Sequence, residues 1–263
     1  MKVITILNSK GGTGKTTLAT HLAAGLAYSH RVLLIDGDSQ GNASTAMRLD
    51  KRPDFYDLCV RGSDWANVMR SVDRDVYAFE GDALDGVLLM TTGNHETGSL
   101  ASNMKQSSII RTRFKELEGV LDYIIVDTSP TPSLIHDAIL FATDCVIVPT
   151  DCEAFGALHG LPSTIEGSME MRMQMRDYNV DGAQVIGIVP SRRYRNLILH
   201  NQMVAQVKAK YDNLVWPSLY QYSVVGEAQA ARQMVYTYAP EHQITTRFWD
   251  MVGYVEAWSH VAK

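Results

Sequence analysis

Cysteine is scarce in this chain of 263 residues, and the three present, Cys59, Cys145 and Cys152, show no paired spacing. An odd, unpaired set excludes a disulfide framework and fits a reducing, cytoplasmic setting. Cys145, inside an apolar run, reads as core. No apolar run reaches the ~20 residues that cross a bilayer, and the first residues enter a strand pattern without the segment that marks a secretory leader. The eight histidines fall at no metal-ligand spacing, and His95, His136 and His159 read as surface or loop residues. A cationic excess is also missing: the formal net charge is −5, which argues against a constitutively basic nucleic-acid binder. The charge is uneven, with +2 over residues 181–263 and −7 over residues 1–180, so an anionic partner would dock on the C-terminal third. There is no repeat, low-complexity tract or linker.

What is present is apolar mass. At 46% hydrophobic, the chain can bury a sizeable core as one α/β domain over residues 1–263. Apolar β-branched runs predict strands near 2–7, 31–36, 86–91, 122–127, 144–149 and 183–189. Helix-period segments fall near 15–29, 104–119, 154–178, 196–210, 224–234 and 244–261. The runs 123–126 and 145–148 show no in/out alternation and suit central parallel strands covered on both faces. This order predicts a doubly wound, mostly parallel sheet with helices on both faces and ligands outside the carboxyl ends of its strands. Residues 50–85 are least regular and read as short helices and loops. Met169, Met171, Met173 and Met175 alternate, which spreads them around a helix and predicts packing on several sides, with a dimer surface as the alternative.

Residues 9–17 read Ser-Lys-Gly-Gly-Thr-Gly-Lys-Thr-Thr, after the apolar run 3–7 and before a helix pattern. Strand, glycine loop and helix form the context of a phosphate-binding loop. Gly11, Gly12 and Gly14 let successive N–H groups turn inward toward phosphate oxygens, and the helix adds its positive end. Lys15 would meet the β- and γ-phosphates and the Thr16 hydroxyl would ligate Mg²⁺, with Thr13 and Thr17 completing the loop. Two acid-bearing segments follow. Residues 33–42 carry Asp36 and Asp38 on one face of a strand end, with capping of the next helix as the alternative reading. Residues 123–130 end a buried strand in Asp127.

The Lys-Gly-Gly-x-Gly-Lys-Thr loop, with Ser9 where a standard loop has glycine, resembles the deviant loop of the ParA/MinD family of ATPases. Residues 36–42 resemble that family's Asp-x-Asp-x-Gln-Gly-Asn motif, with Ser39 where proline is common. Residues 149–160 resemble its Pro-x-x-x-Glu-x-Phe-x-x-x-x-Gly stretch, through Pro149, Glu153, Phe155 and Gly160. Pro217, Glu227-Ala228, Tyr238 and Pro240 resemble its C-terminal motifs.

The resemblance implies a P-loop ATPase that uses ATP and Mg²⁺. Lys15 and Lys10 would be catalytic, Lys10 reaching across an ATP-closed homodimer, and Asp38 would orient or activate water. Asp36 would support the metal site, Asp127 would hold Mg²⁺ through its water shell, and Pro190 and Ser191 would surround the base. The implied role is partition or positioning of a plasmid, chromosome or protein cargo on the nucleoid. It involves non-specific DNA and a ParB-like adaptor that stimulates hydrolysis. Arg192, Arg193, Lys208 and Arg232 are the candidates for DNA contact. A MinD-like membrane-associated ATPase is the alternative. Residues 258–263, Trp-Ser-His-Val-Ala-Lys, lack the basic amphipathic tail of such relatives, so no membrane partner is expected. Cluster cysteines like those of nitrogenase iron proteins have no counterpart, which disfavours a redox role. No helix-turn-helix precedes Lys10, so operator binding is not expected.

Overall fold

A strand whose successive residues are all apolar must be covered on both faces. Tyr123–Thr128 and Cys145–Asp151 are buried along their whole length. In a computed structural model that describes residues 1–106, 108–130, 134–152, 157–177 and 180–261, they lie inside a seven-stranded sheet. In chain order its strands are β1 (Lys2–Ile6), β2 (Arg31–Gly37), β3 (Arg70–Ser71), β4 (Val87–Thr91), β5 (Tyr123–Thr128), β6 (Cys145–Asp151) and β7 (Gln184–Ser191). They are arranged β3-β4-β2-β5-β1-β6-β7, every adjacent pair being parallel apart from β3 and β4. This is the doubly wound arrangement expected.

The two faces of the sheet carry separate cores. Leu34 and Ile125 pack with the helices Lys15–Leu26 and Gln243–Val261 on one face. Leu33, Ile35, Ile124 and Val126 meet Ile110, Phe114, Ile135 and Ile139 on the other. Each fully buried aliphatic side chain contributes about 1.5–3 kcal/mol, so both layers are needed to hold the strands flat against one another. Cys145 is buried in the first core, as expected. Strand β1 lies between β5 and β6, where the order reverses, so its carboxyl end opens the crevice that ligands use in such sheets. The register sets Asp127 level with Asp36 on one side and Ile6 on the other.

Several expectations need correction. The helix Leu134–Phe141 and the short helix Asn42–Ala46 had not been read from the sequence. The first is apolar nearly all round and shorter than a diagnostic window. The two-residue β3, within the irregular 50–85 stretch, is too short for alternation to register. Residues 224–234 do not form one helix: Ser223–Ala230 ends, Arg232 adopts φ 52°, and the Met234 N–H turns to the Val76 carbonyl at 2.7 Å. In the helix Ala157–Asp177, Met171 and Met175 are buried while Met169 and Met173 are exposed. A two-residue step turns a helix by about 200°, so alternation puts one pair in the core and the other in solvent. His136 is buried, not at the surface, and its Nε2 lies 2.9 Å from the Ser129 carbonyl oxygen. Glu153 and Phe155 lie outside the described residues.

Candidate nucleotide site

The loop at the end of β1 is shaped by its glycines and by Asn8. Gly12 and Gly14 take φ of 74° and 88°, which side-chain-bearing residues avoid, and the left-handed Gly14 starts the helix Lys15–Leu26. The Asn8 amide donates to the Pro149 carbonyl at 2.7 Å, and its Oδ1 accepts from the Lys10 N–H at 2.9 Å. From the far side the Ser191 hydroxyl donates to the Thr13 carbonyl at 2.5 Å, and the Arg192 guanidinium donates to the Gly12 carbonyl at 3.3 Å. Contacts with β6 and with the end of β7 thus fix the loop backbone that lines the crevice.

The lysines differ in setting. Lys15 is buried, and its ammonium donates to the Lys10 carbonyl at 2.9 Å. Burial pulls its pKa below the usual lysine value, while Asp127 and Asp38 act in the opposite direction. Lys10 is more open, with its ammonium 3.6 Å from Asp151.

The three acids also divide. Asp38 lines the cavity and its Oδ1 accepts from the Gln40 N–H at 3.0 Å. Asp36, expected beside a metal, is fully buried and occupied: its Oδ2 accepts from the N–H and hydroxyl of Ser44 at 2.8 and 2.7 Å. It ties the strand end to the helix Asn42–Ala46. Asp127 is the reverse case, fully buried and approached by the Thr16 hydroxyl but held by no donor at regular hydrogen-bond geometry. Burial, with the Asp36 charge next, pushes it up to about 8, and the Thr16 hydroxyl and Lys15 ammonium pull the other way. A buried carboxylate beside a threonine hydroxyl suits a hard divalent cation. Among the described residues no set of three or more His, Cys, Asp or Glu side chains could hold a metal alone, so such a cation would need ligands from phosphate and water.

A cavity of about 520 Å³ opens over the loop. One wall is 11–17 with Asp38 and Pro130. The other is Arg192, Tyr220, Gln221, Tyr222, Val225 and Phe248, among others. That second wall had not been read from the sequence, which pointed to Pro190 and Ser191. Ser191 lines the cavity from beneath Gly14, while the Pro190 carbonyl accepts the Leu219 N–H at 2.8 Å and so positions the wall. The signal available was the clustered tyrosines at 220 and 222 beside the Pro217 to Glu227 motif. The cation candidates separate. Arg192 touches the loop, and Arg232 lines a side cavity with Thr16 and Thr17. Arg193 and Lys208 share another cavity with Arg247. No helix among the described residues is long and apolar enough to cross a membrane.

Comparison with known proteins points the same way. The AAA domain family AAA_31 matches residues 1–179. The chain is 30% identical over 254 residues to the chromosome partitioning protein ParA of Caulobacter vibrioides, covering 90% of this chain and 87% of that one. It is 26% identical over 261 residues to the sporulation initiation inhibitor protein Soj of Bacillus subtilis, covering 97% and 98%. Its fold superposes on the septum site-determining protein MinD of Pyrococcus horikoshii, complexed with Mg-ADP, at a TM-score of 0.78 and 18% identity, covering 100% and 98%.

Proposed function

The chain belongs to the ParA/MinD type of P-loop ATPases, a partition ATPase family, and on that premise we propose that it hydrolyses ATP with Mg²⁺ to drive partition or positioning of a cargo. The observation that carries this reading is the buried Asp127 carboxylate beside the Thr16 hydroxyl, at the end of a strand next to a loop with two lysines. Bound Mg²⁺ would offset phosphate charge, and the residues fit it: Thr16 would supply a hydroxyl ligand and Asp127 would hold its water shell, with Asp36 bracing the strand end through Ser44. Loop N–H groups and Lys15 would clamp the phosphates, and Asp38, at the cavity wall, would hold the attacking water. Arg192 and the 220–225 wall would hold the nucleoside. Residues 1–263 would act as one ATPase domain.

Lys10 would leave Asp151 to reach the phosphates of a second copy in an ATP-closed homodimer. Duplication across the two-fold axis would turn Arg193, Lys208 and Arg247 into a wider basic surface for non-specific DNA. A ParB-like adaptor would stimulate hydrolysis and release it. The apolar face of the helix Gln243–Val261 is packed in the core through Ile244, Phe248, Met251 and Val255, which disfavours the membrane alternative.

The test is duplex binding without nucleotide, with ADP and with ATP, across a salt series. The expected result is ATP-dependent, sequence-independent binding that weakens steeply with salt, and whose salt slope falls in Lys208→Ala. Absence of binding by the ATP-bound dimer at low salt rejects the DNA part of the proposal. Co-sedimentation with anionic liposomes under ATP would favour the MinD-like alternative.

A further inference from the structure

The far end of the helix Lys15–Leu26 carries a second, chemically different cavity. Tyr28 follows that helix by two residues, about 20 Å along its axis from Thr16. The cavity of about 270 Å³ beside it is walled by Tyr28, Phe79, Tyr236 and Trp249, with Asp82 and Pro240 at its edge. The Tyr28 and Trp249 rings meet edge to face at 4.9 Å, and Trp249 lies 4.6 Å from Tyr236. Tyr236 is buried, while Phe79 and Trp249, which also line the cavity, remain 52% and 37% exposed.

The carboxylate is held in place. Asp82 Oδ2 accepts from the Tyr28 hydroxyl at 2.9 Å and from the Phe79 N–H at 3.0 Å. Among the described residues no lysine or arginine lines the cavity. Glu80 and Asp85 flank Asp82 in one short stretch of the chain, and Glu241 follows Pro240, which lines the cavity. Aromatic faces carry negative quadrupole potential, and a fixed carboxylate adds directional acceptors. Among the described residues no lysine or arginine stacks on Phe79 or Trp249, so both present aromatic surface to solvent at a cost in exposed apolar area.

We propose that this cavity is a docking site for an arginine side chain projecting from a basic segment of a partner protein. The guanidinium would stack on Trp249 and Phe79 and donate its planar fork to Asp82, which is why arginine suits the site better than the point charge of lysine. The site is separate from the nucleotide cavity, so it concerns a partner's grip on the protein rather than the chemistry.

The experiment is a ¹⁹F NMR titration of full-length protein labelled with 5-fluorotryptophan, with the Trp249 resonance assigned from Trp249→Phe. The probes are acetyl-Gly-Arg-Gly-amide and its citrulline counterpart, which keeps the shape and removes the charge, at constant ionic strength. The expected result is a saturable shift of the Trp249 resonance by the arginine peptide, at least about fivefold weaker with citrulline. Asp82→Asn and Phe79→Ala, both at exposed positions, should each weaken binding about fivefold while leaving the thermal midpoint and the nucleotide affinity unchanged. Equal responses to arginine and citrulline, a shift confined to other tryptophans, or full binding by Asp82→Asn would each overturn the proposal.

Discussion

The Lys10 ammonium rests 3.6 Å from the Asp151 carboxylate, tying the phosphate loop after β1 to the carboxyl end of β6 within one chain. The pair is partly open, at 29% and 7% side-chain exposure, so its strength is about 1 kcal/mol. Any reach of Lys10 toward a second subunit must first break it. Asp151→Asn should therefore lower the protein concentration needed for ATP-dependent dimerisation by about fivefold, measured by light scattering. Lys10→Ala should keep nucleotide affinity and lose dimerisation and turnover; a variant that dimerises and hydrolyses normally refutes the role given to Lys10.

Lys15 has a different expectation, because it is buried at the start of the first helix and points along the loop. Lys15→Ala should weaken ATP and ADP binding by about 100-fold or more, by calorimetry, since a desolvated ammonium facing a polyanion makes a strong charge-assisted contact. A loss below tenfold would move the phosphate clamp elsewhere.

Asp38 and Asp127 should separate binding from chemistry in different ways. Asp38→Ala should bind ATP with Mg²⁺ and hydrolyse it slowly, accumulating as a closed dimer. Asp127→Asn should still bind nucleotide but lose the gain in affinity that Mg²⁺ gives the unsubstituted protein. Titrations with and without Mg²⁺ distinguish them, and a reversed pattern exchanges the two roles.

His21 predicts an acid sensitivity. Its ring stacks on Phe248 at 4.2 Å, its Nδ1 lies 2.7 Å from the Thr17 carbonyl oxygen, and its Nε2 accepts from the Val235 N–H at 3.2 Å. Burial lowers its pKa from 6.5 to about 4. The unfolded chain takes up this proton below 6.5 and the folded chain only near 4. Stability is therefore unaffected above 6.5 and falls between 6.5 and 4, by roughly 3 kcal/mol in full. Urea unfolding across that window should show the slope, and His21→Gln should flatten it.

Gly187 tests the packing behind the cavity wall. A Cβ there would stand 2.4 Å from the Trp216 ring. Gly187→Ala should destabilise by about 2–3 kcal/mol in chemical denaturation, and Trp216→Leu should recover part of that in the double variant.

The sequence by itself determined the strand–loop–helix at 2–26, the strand ends bearing Asp36 and Asp127, and the doubly wound class. These depend on local backbone freedom and on residue periodicity, which neighbouring positions carry. Tertiary structure decided which of those groups are free to act. Asp36 is taken up by Ser44 while Asp127 faces the Thr16 hydroxyl and the Lys15 ammonium, although both end buried strands at the same register. The second wall, from Tyr220 to Phe248, meets a loop some 200 residues earlier because the Leu219 N–H bonds the Pro190 carbonyl and the last helix packs on the first. Basic residues close in sequence, Arg192 and Arg193, face different cavities because the chain turns at Arg192, whose φ of 54° lies in the left-handed region. Such choices rest on contacts between distant segments, where burial and hydrogen-bond satisfaction are fixed by packing, and no local pattern of residue types encodes them.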